Sequence, residues 1–340
     1  MLKYKMRRLI ALLLSAAVGL PGFSQQKVTL PGVFNPEMIE VNDRFLYITE
    51  DMRIKIFDKE DYQLFKTVGK RGEGPGEFMG FIIPYVFSEY IFVNCPGKIL
   101  YFTLEGEFIR EIRAMKVFGR FKPVGGGFVG YNYTRIDGVR YEQLFLYDNK
   151  FTRQKELYRR RYIRQDDGSL NLINERPPFL YIYQNHIYLD SVEGDILVFS
   201  YQGEPVKTIT WPKELIPFTP KYKQRFEEGL KNNPRTREFY FRSRKDLAYP
   251  DHLPIIRMFH LSRGLLYILT SREGDGDTLE MLTVDLEGNI LARQFVAIGP
   301  FARSLFPLHY TVFDRTLYVL EENLEADTWE LHVTDLSLAH

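Results

Sequence analysis

Apolar and polar residues alternate along most of this chain in short runs, each closed by a turn rich in Gly, Asn or Asp. The clearest runs are RIKIFDKEDYQLF from Arg53, KILYFTLEGEFIREI from Lys98, QLFLYDNKFTRQKEL from Gln143, DILVFSYQGEPVKTI from Asp195 and EMLTVDLEGNILARQF from Glu280. A period of two places successive side chains on opposite faces, so each run predicts a half-buried antiparallel hairpin. A second pair of apolar runs precedes each hairpin: MIEVN with RFLYITE, IIPYVFS with YIFVNC, FGRFKPV with GFVGYNY, PFLYIYQ with HIYLDSV, and PIIRMFHLS with GLLYILTS. HYTVFD and TLYVLEE stand in the same way before a partial sixth copy, WELHVTDLSLAH. The unit of repetition is therefore four strands.

Turn-entry residues Asp58, Thr103, Asp148, Ser200, Asp285 and Asp335 are separated by 45, 45, 52, 85 and 50 positions. The separation of 85 equals one repeat plus an insertion. Four-stranded units at such a period build the blades of a β-propeller or the coils of an open solenoid. The last repeat ends after its third strand, while an unassigned strand, KVTLPGVF from Lys27, precedes the first. That strand can complete the last blade and leave no open edge. The expected fold is thus all-β: a six-bladed β-propeller of four-stranded antiparallel blades over residues 25–340, closed by an N-terminal strand. The insertion, residues 213–252, breaks the strand pattern. Thr219 as cap, Pro220 at the first position and Tyr222, Phe226 and Leu230 on one face predict a short helix, ended by Asn233 and Pro234.

Composition adds little to this pattern: 45% hydrophobic, 26% charged and a high 15% aromatic, which suits strands. The formal net charge is +1, so no global field draws nucleic acid, and no nucleic-acid partner is expected. Cys95 is the single cysteine, which excludes an internal disulfide, and it reads as a small buried apolar residue. At the N-terminus, Lys3, Lys5, Arg7 and Arg8 precede the apolar run Leu9–Leu20, then Pro21, Gly22 and Ser24. This order predicts a signal peptide over 1–24 and export to the periplasm or cell surface. The run is shorter than the ~20 residues a membrane-spanning helix needs, so no transmembrane segment is expected after cleavage. No cysteine stands at the cleavage point to carry a lipid anchor.

The most distinctive string is GKRGEGPGEF, Gly69 to Phe78, which joins the outer strand of blade one to the inner strand of blade two. No helix follows it and the lysine precedes the glycines, so it is not a phosphate-binding loop. Through Gly72, Gly74, Pro75, Gly76, Glu77 and Phe78 the chain resembles the exported six-bladed, NHL-like propellers of Bacteroidetes, in which a G-x-G-P-G-E-[FY] turn follows a blade. The resemblance implies the propeller fold and no particular reaction. It makes Arg71, Glu73 and Glu77 candidate ligand-facing residues, set against a turn whose charges satisfy one another.

A local basic excess supplies the other candidates. The insertion carries Lys223, Arg225, Arg237 and Arg242 among ten Lys and Arg, with Tyr240 and other aromatics between them, and blade three ends in Arg160 and Arg161. Both segments connect an outer strand to an inner one, so they belong on one face. Such a face suits an anionic or planar partner. His252 and His260, which flank the inner strand of blade five, are placed near the channel mouth. Neither GxSxG nor HExxH occurs, and no cofactor is expected. Calcium or another divalent metal at Asp275 and Asp277 is the alternative, although the DxDxDG loop is missing. The expectation is a non-catalytic binding or scaffolding propeller of the cell envelope, a monomer or a subunit of a complex, whose loop face meets a protein, peptide or glycan. The alternative is a hydrolase or lyase with a metal in the central channel.

Overall fold

A computed structural model describes residues 25–113, 120–174, 178–232, 234–276, 278–298, 309–323 and 325–336. The segment expected to be a signal peptide lies outside them. Strand β1 is Gln25–Thr29. Blade one holds β2 (Met38–Val41), β3 (Phe45–Glu50), β4 (Arg53–Asp58) and β5 (Leu64–Val68). Blade two holds β6 (Ile83–Val86), β7 (Ile91–Cys95), β8 (Lys98–Phe102) and β9 (Phe108–Arg113). Blade three holds β10 (Phe121–Val124), β11 (Gly127–Ile136), β12 (Val139–Tyr147) and β13 (Arg153–Arg161). Blade four holds β14 (Leu180–Tyr183), β15 (His186–Asp190), β16 (Ile196–Ser200) and β17 (Pro205–Ile209). Helices α1 (Pro220–Asn232) and α2 (Pro234–Ser243) follow. Blade five holds β18 (Met258–Ser262), β19 (Leu265–Glu273), β20 (Thr278–Asp285) and β21 (Ile290–Ala297). Blade six holds β22 (Tyr310–Phe313), β23 (Thr316–Asn323) and β24 (Thr328–Asp335), with β1 as its outer strand.

The closure expected from the sequence is present: β1 runs antiparallel to β24, with Lys27 opposite His332 and Val28 opposite Leu331. Each strand sends alternate side chains to the two neighbouring blades. In β3, Phe45 and Tyr47 enter the cluster shared with blade two, while Leu46 and Ile48 enter the one shared with blade six. Six such clusters fill the six blade interfaces, and that between blades six and one is closed by Tyr318, Leu320, Trp329 and Leu331 against Ile39 and Phe57. The core is therefore a continuous ring around the axis.

The insertion contains two helices where the sequence predicts one. Asn233–Pro234 reads as a stop, yet proline costs nothing at the first helical position, and Pro234 starts α2. Thr219 Oγ1 accepts the Tyr222 amide at 3.2 Å and caps α1 as expected. Leu230 packs against Leu170 and Leu172 from the connection between blades three and four. That connection and the insertion are stitched by Leu170 N–H to Asp246 O at 2.8 Å and Ala248 N–H to Leu170 O at 2.9 Å. The two basic connections thus share one face and touch.

Candidate functional site

The inner strands surround a cavity of about 730 Å3 that follows the propeller axis. Its lining runs from Glu37, Phe81, Arg120 and Pro178, where the chain enters the inner strands, to Asn42, Asp43, Ser88 and Arg263, where it leaves them. Register places one residue of each blade at the same level. Glu40 lies opposite Tyr47, Tyr85 opposite Phe92, Lys122 opposite Val129, Tyr181 opposite Tyr188, His260 opposite Tyr267 and Thr311 opposite Tyr318. All six line the cavity.

The polar groups of this ring are unequally satisfied. The Lys122 ammonium donates to the Leu180 carbonyl and lies 4.1 Å from the Tyr85 ring centre and 4.8 Å from that of Tyr181. The Tyr181 hydroxyl and His260 Nδ1 share a hydrogen bond of 2.8 Å. Nε2 itself is buried and has no hydrogen-bond partner among the described residues. Burial, assisted by the Lys122 charge, pushes the His260 pKa down to about 3, so the ring is neutral at physiological pH. Burial raises Glu40 to about 7 against the pull of Lys122, and lowers Lys122 to about 8 against the pull of Glu40. Burial also lifts Tyr85 to about 12 and holds Tyr131 and Tyr181 well above the ordinary phenol value. The Tyr131 hydroxyl donates to Pro178 O at 2.6 Å and fixes one wall.

The residues selected from the sequence fall into three places. Arg71, Glu73 and Glu77 lie in the turn over blades one and two, where Gly72 N–H meets Phe78 O at 2.9 Å and the Glu77 carboxylate accepts from Gly74 N–H at 2.8 Å and Lys70 at 2.9 Å. These contacts, Lys70 first, hold the Glu77 carboxyl below its ordinary value. Lys98, 3% exposed, donates to Gly74 O at 2.8 Å from beneath. Phe78, fully buried, anchors the turn in the interface between blades one and two. The backbone and Glu77 are thus taken up by the turn, while Arg71 and Glu73 stay exposed.

Arg160 is buried at the end of β13, 3.5 Å from Asp190, and faces the interior, whereas Arg161 beside it is exposed. On the insertion, Lys223 lies over the Tyr249 ring at 4.4 Å, Arg225 pairs with Glu273 and covers Tyr222, and the Tyr240 hydroxyl donates to Glu227 at 3.3 Å. Arg237 and Arg242 are exposed on α2. His252 is exposed away from the cavity lining, and its carbonyl accepts from Asn174 at 3.0 Å. The histidine of the channel is His260, on the same approach to blade five. Asp277 lies outside the described residues, and Asp275 is exposed.

Apart from His260, the channel ring went unselected in the sequence because its members stand a full repeat apart and each looks like one polar residue in a short strand. Aligning the inner strands on their second-strand partners brings Glu40, Tyr85, Lys122, Tyr181, His260 and Thr311 into one column, and a column of polar groups, five of them titratable, inside apolar strands is the available signal.

Six four-stranded blades closed around a lined axial cavity define a six-bladed β-propeller. Residues 33–177 match the DUF5128 family model, described as a 6-bladed beta-propeller. No curated protein matches the chain. Among solved structures, the chain is similar to a protein of unknown function from Bacteroides caccae, with 10% identity and a TM-score of 0.35 over 84% of this chain and 85% of that one. It is also similar to Hsv2p of Kluyveromyces lactis, with 12% identity and a TM-score of 0.33 over 87% and 83%. A third likeness is to BBS1N in complex with ARL6DN, with 10% identity and a TM-score of 0.37 over 87% and 75%. Nothing about a ligand or partner follows from likenesses this distant.

Proposed function

We propose that the chain is a non-catalytic binding propeller of the cell envelope that presents its insertion face to an acidic protein or peptide, an anionic glycan being the other carrier of the same charge. The reading is carried by one observation: the insertion is seated firmly through Leu230, yet α2 and the turn that follows it hold Arg237, Arg242, Arg244 and Lys245 exposed around Phe241. Phe241 is 44% exposed, with the Arg237 and Arg244 guanidinium groups 5.9 and 5.8 Å from its ring centre. An exposed aromatic flanked by arginines has the composition of an interaction hot spot. The envelope location rests on the basic and apolar order of residues 3–24. The alternative, a hydrolase or lyase with a channel metal, finds Glu40 and His260 on the lining. Among the described residues, no three His, Cys, Asp or Glu gather as such a site requires.

The test is affinity capture from the native envelope with the intact propeller, with residues 214–250 deleted, and with Arg237, Arg242 and Lys245 each changed to Glu. The expected outcome is a captured partner that is lost in both altered proteins and released by salt. An unchanged set of captured proteins in both would overturn the proposal.

A further inference from the structure

The channel holds two opposite charges that do not neutralise each other by contact. Glu40 comes from blade one and Lys122 from blade three, and Tyr85 of blade two stands between them in the ring. Among the described residues no donor reaches the Glu40 carboxylate; Lys122 acts on it only through space. The ammonium spends one N–H on Leu180 O and keeps others for a ligand. Charges held apart in an enclosed site are costly, and apolar side chains of similar size would fill the channel more stably. The neutral imidazole of His260 adds no further charge, and its bond to Tyr181 fixes the aromatic wall beside Lys122. At this level the lumen therefore offers one negative and one positive group, framed by Tyr85 and Tyr181, in a volume typical of small-molecule sites.

We propose that the axial channel binds a free amino acid as its zwitterion, with the ligand ammonium on Glu40, the ligand carboxylate on Lys122 and the side chain against the aromatic walls. A ligand of net zero charge and opposite polarity is the one that satisfies both groups together. A simple amine or a simple carboxylate satisfies one and leaves the other unpaired. A neutral sugar offers hydroxyls to both and a full charge to neither.

The test begins with the purified full-length chain and the twenty proteinogenic amino acids, added one at a time in a thermal-shift assay, with calorimetry on any that raise the melting temperature. At least one is expected to bind. Its decarboxylated amine and its deaminated acid are expected to bind roughly tenfold or more weakly, since a hydrogen bond to a charged group is worth about one to two powers of ten in affinity. Glu40→Gln and Lys122→Met are each expected to weaken the amino acid by a similar factor. The proposal is overturned if no amino acid shifts the melt, if either half-ligand or glucose binds as tightly, or if a folded Glu40→Gln protein keeps its affinity. Should either variant fail to fold, the comparison of amino acid with half-ligands on the unaltered chain decides alone.

Discussion

Replacing Phe78 by Ala tests whether the glycine-rich turn after blade one is a structural plug. The side chain is fully buried among Phe45, Ile91, Val93 and Leu100, with its ring 5.8 Å from that of Phe102 at 65°. Two independent routes give the magnitude. Burying about 200 Å2 of aromatic surface at ~25 cal/mol per Å2 contributes about 5 kcal/mol. Phe→Ala changes in packed cores cost about 3–5 kcal/mol. Phe78→Ala should therefore destabilise the propeller by about 4 kcal/mol, read as a lower urea midpoint by both tyrosine fluorescence and far-ultraviolet dichroism. Gly69→Ala attacks the same packing from the other side, because a Cβ there would sit 2.0 Å from the Phe78 ring on a backbone at φ +80°. It should lower the midpoint too, whereas Glu77→Gln, which only loosens the turn, should lower it less. A midpoint change worth less than ~1 kcal/mol in Phe78→Ala would refute the plug and return the motif to the list of ligand loops.

Three more outcomes can be checked. Folding raises the Glu40 pKa from 4.5 to about 7, so its contribution to stability is complete below pH 4.5 and is lost as pH rises through 7. The difference in urea midpoint between the wild type and Glu40→Gln should follow that window, spanning up to roughly 3 kcal/mol, and parallel pH profiles would contradict it. Cys95 is buried, and burial pushes its thiol pKa up, so a thiol reagent should label it only when urea unfolds the chain; fast labelling of the native protein would contradict its position. Deleting residues 25–29 strips β24 of its outer partner, and the product should associate in a concentration-dependent way on size-exclusion chromatography; an unchanged monomeric elution would show that the closure is dispensable.

The blade count was legible because a half-buried strand must alternate, and six copies of that alternation recur at 45 to 52 positions except across the one insertion. Closure was legible as a surplus strand at one end and a missing one at the other. Pro234 was misread because the same residue ends one helix and opens the next, and sequence alone does not say which use prevails. Arg160 illustrates another limit. Its neighbour Arg161 shares its charge and type, and only the strand register sends one to Asp190 and the other outward. The channel ring is the extreme case, since its meaning lies in six residues that meet only after every blade has closed.

That same dependence bears on how the molecule comes to exist. β1 precedes every blade in the chain, yet its hydrogen-bonding partner, β24, is the last strand described. During synthesis the leading strand must wait with its backbone N–H and C=O groups unpaired until the final blade arrives. Contacts between such distant segments form slowly, and a strand left waiting is open to pairing with another chain. A cell making this protein therefore faces its greatest risk of aggregation at the last step of folding, and an escort that shields β1 or the bare edge of β24 would act at that step.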